Sequence, residues 1–188
     1  TGRQELTGVS AFPLLGDDGI KAEPWPRQQA TNSAKAEIEV TPLKVHRLSE
    51  GFEALRDAAD AHGGYKVFLA NMGEIVDHNV RSTWTRNYLA AGGIEALTSD
   101  GYKTPEVAAA AFKASGAKAA CICSSDATYA TLAETTAAAL KAAGAKFVLM
   151  AGRPGDKEAA FKAAGVDQFL FAGADAIATL KGLQNTLG

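Results

Sequence analysis

"VFLANMGEIVDHNVRSTW", residues 67–84, carries the pattern on which the fold turns. Its first four residues form an apolar run of the length and composition of a buried strand. A glycine-containing loop follows, with Asp77 and His78 side by side, and a helix-like pattern then begins. Strand, loop and helix in that order open a βαβ unit, and in open α/β sheets the loop after such a strand is a usual seat for a ligand.

Outward from this stretch the pattern repeats. Short apolar runs read as strands: "KVFLAN" (66–71), "IEAL" (94–97), "AACIC" (119–123), "KFVLM" (146–150) and "QFLF" (168–171). Alanine-rich stretches between them, such as "PEVAAAAFKAS" (105–115) and "ATLAETTAAALKAA" (130–143), read as helices. Gly92, Gly116, Gly144 and Gly165 each close a helical stretch just before the next strand, as left-handed C-caps do. The joints "AFKASGAK", "LKAAGAK" and "FKAAGVD" are this one device used three times, not a repeat architecture. Strands alternating with helices predict an α/β fold: a doubly wound, five-stranded parallel sheet in flavodoxin-like order.

Composition divides the chain near residue 64. The first part holds four of the six prolines, and "GDDGIKAEPWPRQQATNSAKAEIEV" (16–40) lacks sustained periodicity, so it reads as an extended arm. "RLSEGFEALRDAADAH" (47–62) spaces Leu48, Phe52 and Leu55 at helical intervals and reads as a linker helix ended by Gly63 and Gly64. The expected division is therefore 1–64 and 65–188. Phe12, Leu14, Leu15 and Trp25 are expected to pack against a body outside this chain.

With 19 basic and 21 acidic residues intermixed, no basic patch points to nucleic acid. No run approaches the ~18 apolar residues of a membrane span, and no signal pattern opens the sequence. A chain that starts at Thr1 is expected to be a fragment or a processed product. Cys121 and Cys123 alternate within an apolar run, where successive side chains point to opposite faces; a mutual disulfide is not expected, nor a metal site. Buried thiols of this kind fit a reducing cytoplasm.

Three loops lie where the carboxyl ends of the strands place ligands: 72–79, 124–129 and 151–155. A nucleotide is not indicated, because neither G-x-G-x-x-G nor G-x-x-x-x-G-K-[ST] occurs. Asp126 follows the third strand, as a phosphoacceptor would. The first strand, however, ends in "NMGE" without an acidic cluster for Mg²⁺, and no lysine follows the fifth, which runs into "FLFAGAD".

One resemblance covers nearly the whole chain. "LTGVSAFPLL" (6–15), "RLSEGFEALRDAADAH", "VFLANMGE", "VRSTWTRNYLAAGGIEAL", "CSSDATYATLAE", "LKAAGAK", "LMAGRPG" and "AGVDQFLFAGADAIATL" together resemble the C-terminal region of methylmalonyl-CoA mutases, in particular the family's small, non-catalytic subunit. The arm matches more loosely than the domain. The resemblance implies a barrel-end segment at 6–15 and a cobalamin-binding-like domain after the linker helix. It also implies, as partner, a large catalytic subunit that holds adenosylcobalamin and interconverts (R)-methylmalonyl-CoA and succinyl-CoA. No cofactor is expected in this chain itself.

That last expectation comes from the loops. Cobalamin-binding members carry D-x-H-x-x-G after the first strand; its histidine ligates cobalt and its aspartate orients that histidine. A serine in S-x-L after the third strand and a G-G after the fourth line the tunnel for the nucleotide tail. Placed without gaps, the motif's Asp falls on Ile75, its His on Asp77 and its Gly on Val80, with His78 one residue off. Ser124 matches the serine, but Asp126 replaces the leucine; Gly152 matches the first glycine, but Arg153 replaces the second. No catalytic residue and no metal ligand are expected, and His78, Ser124 and Gly152 are the candidates if cobalamin binds. The alternative is a functional cobalamin-binding domain, either without a histidine ligand or with His78 as a displaced lower ligand. A small anion held by Arg153 is a third possibility.

Plainer roles are expected for the same residues. His78 reads as a solvated or locally bonded loop histidine, and Asp77 or Asn79 as N-cap of the helix at 80–91. Val80, Trp84 and Tyr88, at i, i+4 and i+8, read as a core stripe. Arg153 is expected to project into the tail space.

Overall fold

A computed structural model describes residues 5–16, 21, 23–24, 41 and 43–188. Six helices and five strands follow one another: α1 (Glu50–His62), β1 (Tyr65–Asn71), α2 (Ile75–Ala91), β2 (Ile94–Leu97), α3 (Pro105–Ser115) and β3 (Ala119–Cys123). Then come α4 (Asp126–Ala142), β4 (Phe147–Ala151), a 3-10 turn (Gly155–Lys157) leading into α5 (Glu158–Ala163), β5 (Gln168–Leu170) and α6 (Ala176–Leu187). All strand pairs are parallel and the order is β2-β1-β3-β4-β5, the flavodoxin-like arrangement expected from the sequence.

The strands are apolar along their length because helices cover both faces of the sheet. On one face Phe68, Ala70, Ile122, Val148 and Met150 meet Phe112 of α3, Leu140 of α4 and Phe161 of α5. On the other Leu69, Cys121 and Leu149 meet Leu55 of α1, Leu89 of α2 and Leu180 and Leu183 of α6. Val67, Leu69, Ile122 and Leu149 are fully buried.

Local chemistry sets the helix ends. Thr104 caps α3 by accepting from the Val107 amide, Pro105 stands at its first position, and Gly116 leaves it with φ of 69°. Ser125 and Asp175 cap α4 and α6 by accepting from the Thr128 and Ala178 amides. Gly92 departs from the left-handed cap expected of it: its φ is −98°, and the positive angle falls on Gly93.

Two further expectations, on Leu48 and on the cysteines, are corrected, while the exposure of the arm's apolar residues leaves their packing against an outside body untested. Leu48 precedes α1 and is exposed, leaving Phe52 and Leu55 as that helix's apolar contacts. Cys121 and Cys123 share a face of β3, because residues two apart point the same way, and their sulfurs lie 4.0 Å apart as free, buried thiols. Phe12 and Leu14 are largely exposed and Leu15 is 42% exposed; Trp25 and most of the arm at 16–40 lie outside the described residues. Among the described residues no helix is long and apolar enough to cross a membrane.

Gln184 fastens the two ends of the folded region. Buried on α6, its amide donates to the carbonyl oxygens of Leu55 and Gly92, both at 2.8 Å. Gln184→Ala removes both bonds, leaving the Leu55 carbonyl only its helical partner, and is expected to cost on the order of 1–3 kcal/mol. A drop in the urea midpoint at unchanged slope measures it, with exposed Asn185→Ala, expected within about ±0.5 kcal/mol, as the control. Burial also pushes the Cys121 thiol well above its ordinary pKa. Neither thiol is expected to react with a thiol reagent at neutral pH until denaturant opens the core; rapid labelling of the folded chain would contradict this packing.

Candidate functional site

The helix after β1 begins five residues earlier than its apolar pattern predicts. Glu74 and Asp77 form a reciprocal capping box: the Asp77 carboxylate accepts from the Glu74 amide at 3.0 Å, while the Glu74 side chain accepts from the Asp77 amide. Neither Asp77 nor Asn79 is the N-cap, and the supposed loop is Met72–Gly73–Glu74 alone. The signal was present as E-x-x-D, an unusual cap residue with the right spacing.

That shift moves every side chain of the stretch. His78 lies one turn inside α2 and is 4% exposed, so it is neither solvated nor in a loop. Its Nε2 meets the carbonyl oxygen of Asp100 at 3.1 Å, in the β2–α3 connection. A carbonyl only accepts, so Nε2 carries the hydrogen of this bond. Gly101 makes this approach possible: its φ is +126°, and a Cβ there would stand 2.9 Å from His78 Nε2 and 2.5 Å from the Gly73 carbonyl oxygen. The buried stripe of α2 is His78, Ser82, Thr85 and Leu89. Val80 is 80% exposed, while Trp84 and Tyr88 are half-buried and stacked with centroids 5.0 Å apart.

The other candidates meet at the carboxyl ends of β1, β3 and β4. Ser124 is fully buried and its hydroxyl donates to the Met72 carbonyl at 2.6 Å, tying β3 to β1. The Tyr129 hydroxyl accepts from the Ser124 amide at 3.0 Å and faces the carbonyl oxygens of Ile122 and Ala151 at 3.0 and 2.8 Å. Burial raises this phenol well above its usual pKa, which keeps it a neutral donor.

Arg81 closes the group, and nothing in the sequence reading singled it out. From α2 it donates to the Ser124 carbonyl and to Asp126 Oδ1, both at 2.6 Å, and lies over the Tyr129 ring at 4.9 Å. Burial is the largest single influence and disfavours the guanidinium's charge, but the Asp126 carboxylate and Tyr129 together outweigh it and raise the pKa. Its Cζ stands 3.5 Å from where a Cβ on Gly152 would be. Arg153 takes another course than expected: it lies over the Phe171 ring at 4.5 Å and donates to the Ala172 carbonyl at 3.4 Å. The structure therefore joins Ser124 and Gly152 through Arg81 and directs His78 to the β2–α3 connection. Among the described residues no group of three or more His, Cys, Asp or Glu is placed to hold a metal ion.

No protein-family model matches the chain. The fold is shared with the crystal structure of a cobalamin-binding protein from Desulfitobacterium hafniense DCB-2, at a TM-score of 0.52 and 19% identity, over 76% of this chain and 72% of that one. Among curated proteins, the methylmalonyl-CoA mutase small subunit of Streptomyces virginiae is 38% identical over 191 residues. That of Propionibacterium freudenreichii subsp. shermanii is 35% identical over 189 residues, and the probable small subunit of Mycobacterium tuberculosis 32% over 191. Each match takes in 99% of this chain and 28% of the relative, so the chain spans little more than a quarter of their length. Over nearly its whole length, then, this chain is homologous to a portion of methylmalonyl-CoA mutase small subunits.

Proposed function

We propose that the chain is the C-terminal part of a mutase small subunit, with a cobalamin-binding-like domain that keeps the fold and has lost the corrinoid site. In this reading residues 65–188 form that domain, and 1–64 are its barrel-end segment, arm and linker helix. The domain itself is non-catalytic and serves assembly beside a cytoplasmic large subunit. That partner holds adenosylcobalamin and interconverts methylmalonyl-CoA and succinyl-CoA.

The observation that carries the reading is Arg81. A nucleotide tail needs open space beside the small residues Ser124 and Gly152. Here the guanidinium stands against both, held by the Ser124 carbonyl and Asp126. The residues present do not fit the group at the cobalt end either. Asp77, where the ligand histidine belongs, is spent on the capping box. For His78 to reach a cobalt ion it must leave a buried position and its bond to Asp100. The ion pair with exposed Asp126 by itself adds little stability; held also by the Ser124 carbonyl and the Tyr129 ring, Arg81 fills the space beside Gly152.

Titration of the chain with hydroxocobalamin is expected to give no saturable spectral change, and Arg81→Ala is expected not to restore binding, because the histidine position remains wrong. Tight binding whose spectrum alters in His78→Ala would overturn this reading in favour of a displaced lower ligand. Co-expression of the full small subunit with a large mutase subunit is expected to yield a heterodimer with one cobalamin per pair. Two per pair, or failure to associate, would count against the assembly role.

A further inference from the structure

Away from the Arg81 cluster, and sharing no residue with it, a cleft of about 420 Å³ opens between the arm, helices α1 and α2, and the turn from β5 into α6. That volume is within the range of small-molecule sites. The arm side is a closed turn. The Leu6 carbonyl accepts from the Val9, Ser10 and Ala11 amides, and the Leu6 amide donates to Ser10 Oγ at 3.0 Å. Arg56 of α1 fastens this turn by donating to the Gly8 and Val9 carbonyls at 3.1 and 3.2 Å.

Two kinds of group in the wall narrow the occupant. Phe52, Trp84, Tyr88 and Phe171 supply aromatic surface, and all four are half-buried, so each keeps accessible area on the cleft. Glu5 and Asp175 supply its only charged side chains, and both are exposed at the mouth. Burial is the main cause that raises the Tyr88 phenol's pKa, and the Asp175 carboxylate adds to it, so that negative charge is felt at the aromatic wall. The nearby cations do not line the cleft. Arg56 is given to the arm carbonyls, and Arg153 lies over the Phe171 ring and donates to the Ala172 carbonyl. Arg153 together with the two carboxylates still leaves the mouth net negative, which opposes an anion. A neutral apolar molecule meets the rings but gains nothing from the carboxylates. A compact metal ion keeps its water shell against aromatic walls, and no group of three ligands stands here among the described residues. A cation with an apolar skin uses both features, because the face of an aromatic ring carries negative potential. We propose that this cleft binds a small organic cation, with a quaternary ammonium group over Phe52, Trp84 and Tyr88 and the carboxylates of Glu5 and Asp175 at the mouth. The site requires no corrinoid chemistry and is independent of the lost-cobalamin reading.

The test is an amide and indole ¹⁵N chemical-shift titration of the 188-residue chain with three probes of nearly one shape. Choline carries the cation, neohexyl alcohol replaces its trimethylammonium by a neutral tert-butyl group, and the anion of tert-butylacetic acid reverses the charge. Choline is expected to give saturating shifts at the Trp84 indole and along the turn from Phe171 to Asp175. The alcohol is expected to bind about fivefold more weakly, the worth of one cation–aromatic contact, and the anion not to saturate. Glu5→Gln changes an exposed position, and Asp175→Asn keeps a side chain able to cap α6 in place of the bond to the Ala178 amide. Each is expected to weaken choline about threefold while leaving the alcohol unchanged, a selectivity that loss of structure does not produce. Equal binding of choline and the alcohol would make the cleft an apolar surface only and overturn the proposal. So would choline shifts that grow linearly without saturating, or a choline-to-alcohol ratio unchanged in both variants.

Discussion

Two side chains, Ser124 and Tyr129, tie together the carboxyl ends of β1, β3 and β4. At this edge the ladders stop and the strand-end carbonyls need new partners, which water cannot supply in a buried place. The two hydroxyls supply them from a single turn of chain, the start of α4. Everything at the crevice follows from that clasp. The Tyr129 ring gives Arg81 a surface to lie on, Arg81 in turn fixes α2 against β3, and the glycine at 152 is opposed by a guanidinium instead of open space. The crevice is lined by the groups that finish the sheet.

The fold was largely legible because it is written in periodicity and punctuation. Strands "AACIC" and the helix "PEVAAAAFKAS" appear in the structure with the limits the sequence implies, since a capping threonine, a first-turn proline and a closing glycine all mark them. The parallel order was legible too, as alternating strands and helices leave few other right-handed arrangements. Errors arose where one signal stood for another. The pattern at 80–91 hid the first turn of α2, because Glu74 is a poor intrinsic cap that works only in partnership with Asp77. The two cysteines were misplaced by counting neighbours instead of alternate residues.

The site was less legible, for a physical reason. Motif comparison asks what occupies a position, and it flagged Ile75, Asp77, Asp126 and Arg153 as departures. It cannot ask what reaches that position from elsewhere. Arg81 comes from α2 and closes on residues more than 40 positions away, while Arg153, adjacent to Gly152 in sequence, turns aside to Phe171. The early start of α2 draws His78 into the helix on its buried stripe, and Val80 lies on the exposed side.

The amide of Gln184 has a consequence for the order of events during synthesis. It joins α6 to a carbonyl of α1, 129 residues earlier in the chain. Helix α1 is made well before the α6 surface that covers it. Until then Leu55 and the sheet face formed by Leu69 and Leu149 lack their final cover. Contacts of such long separation are closed late and at the cost of loop entropy. The half of the sheet packed by α3 and α4 is complete much sooner, so the two faces of one sheet mature at different times, and the α1–α6 face is the one a nascent chain leaves open to chaperones.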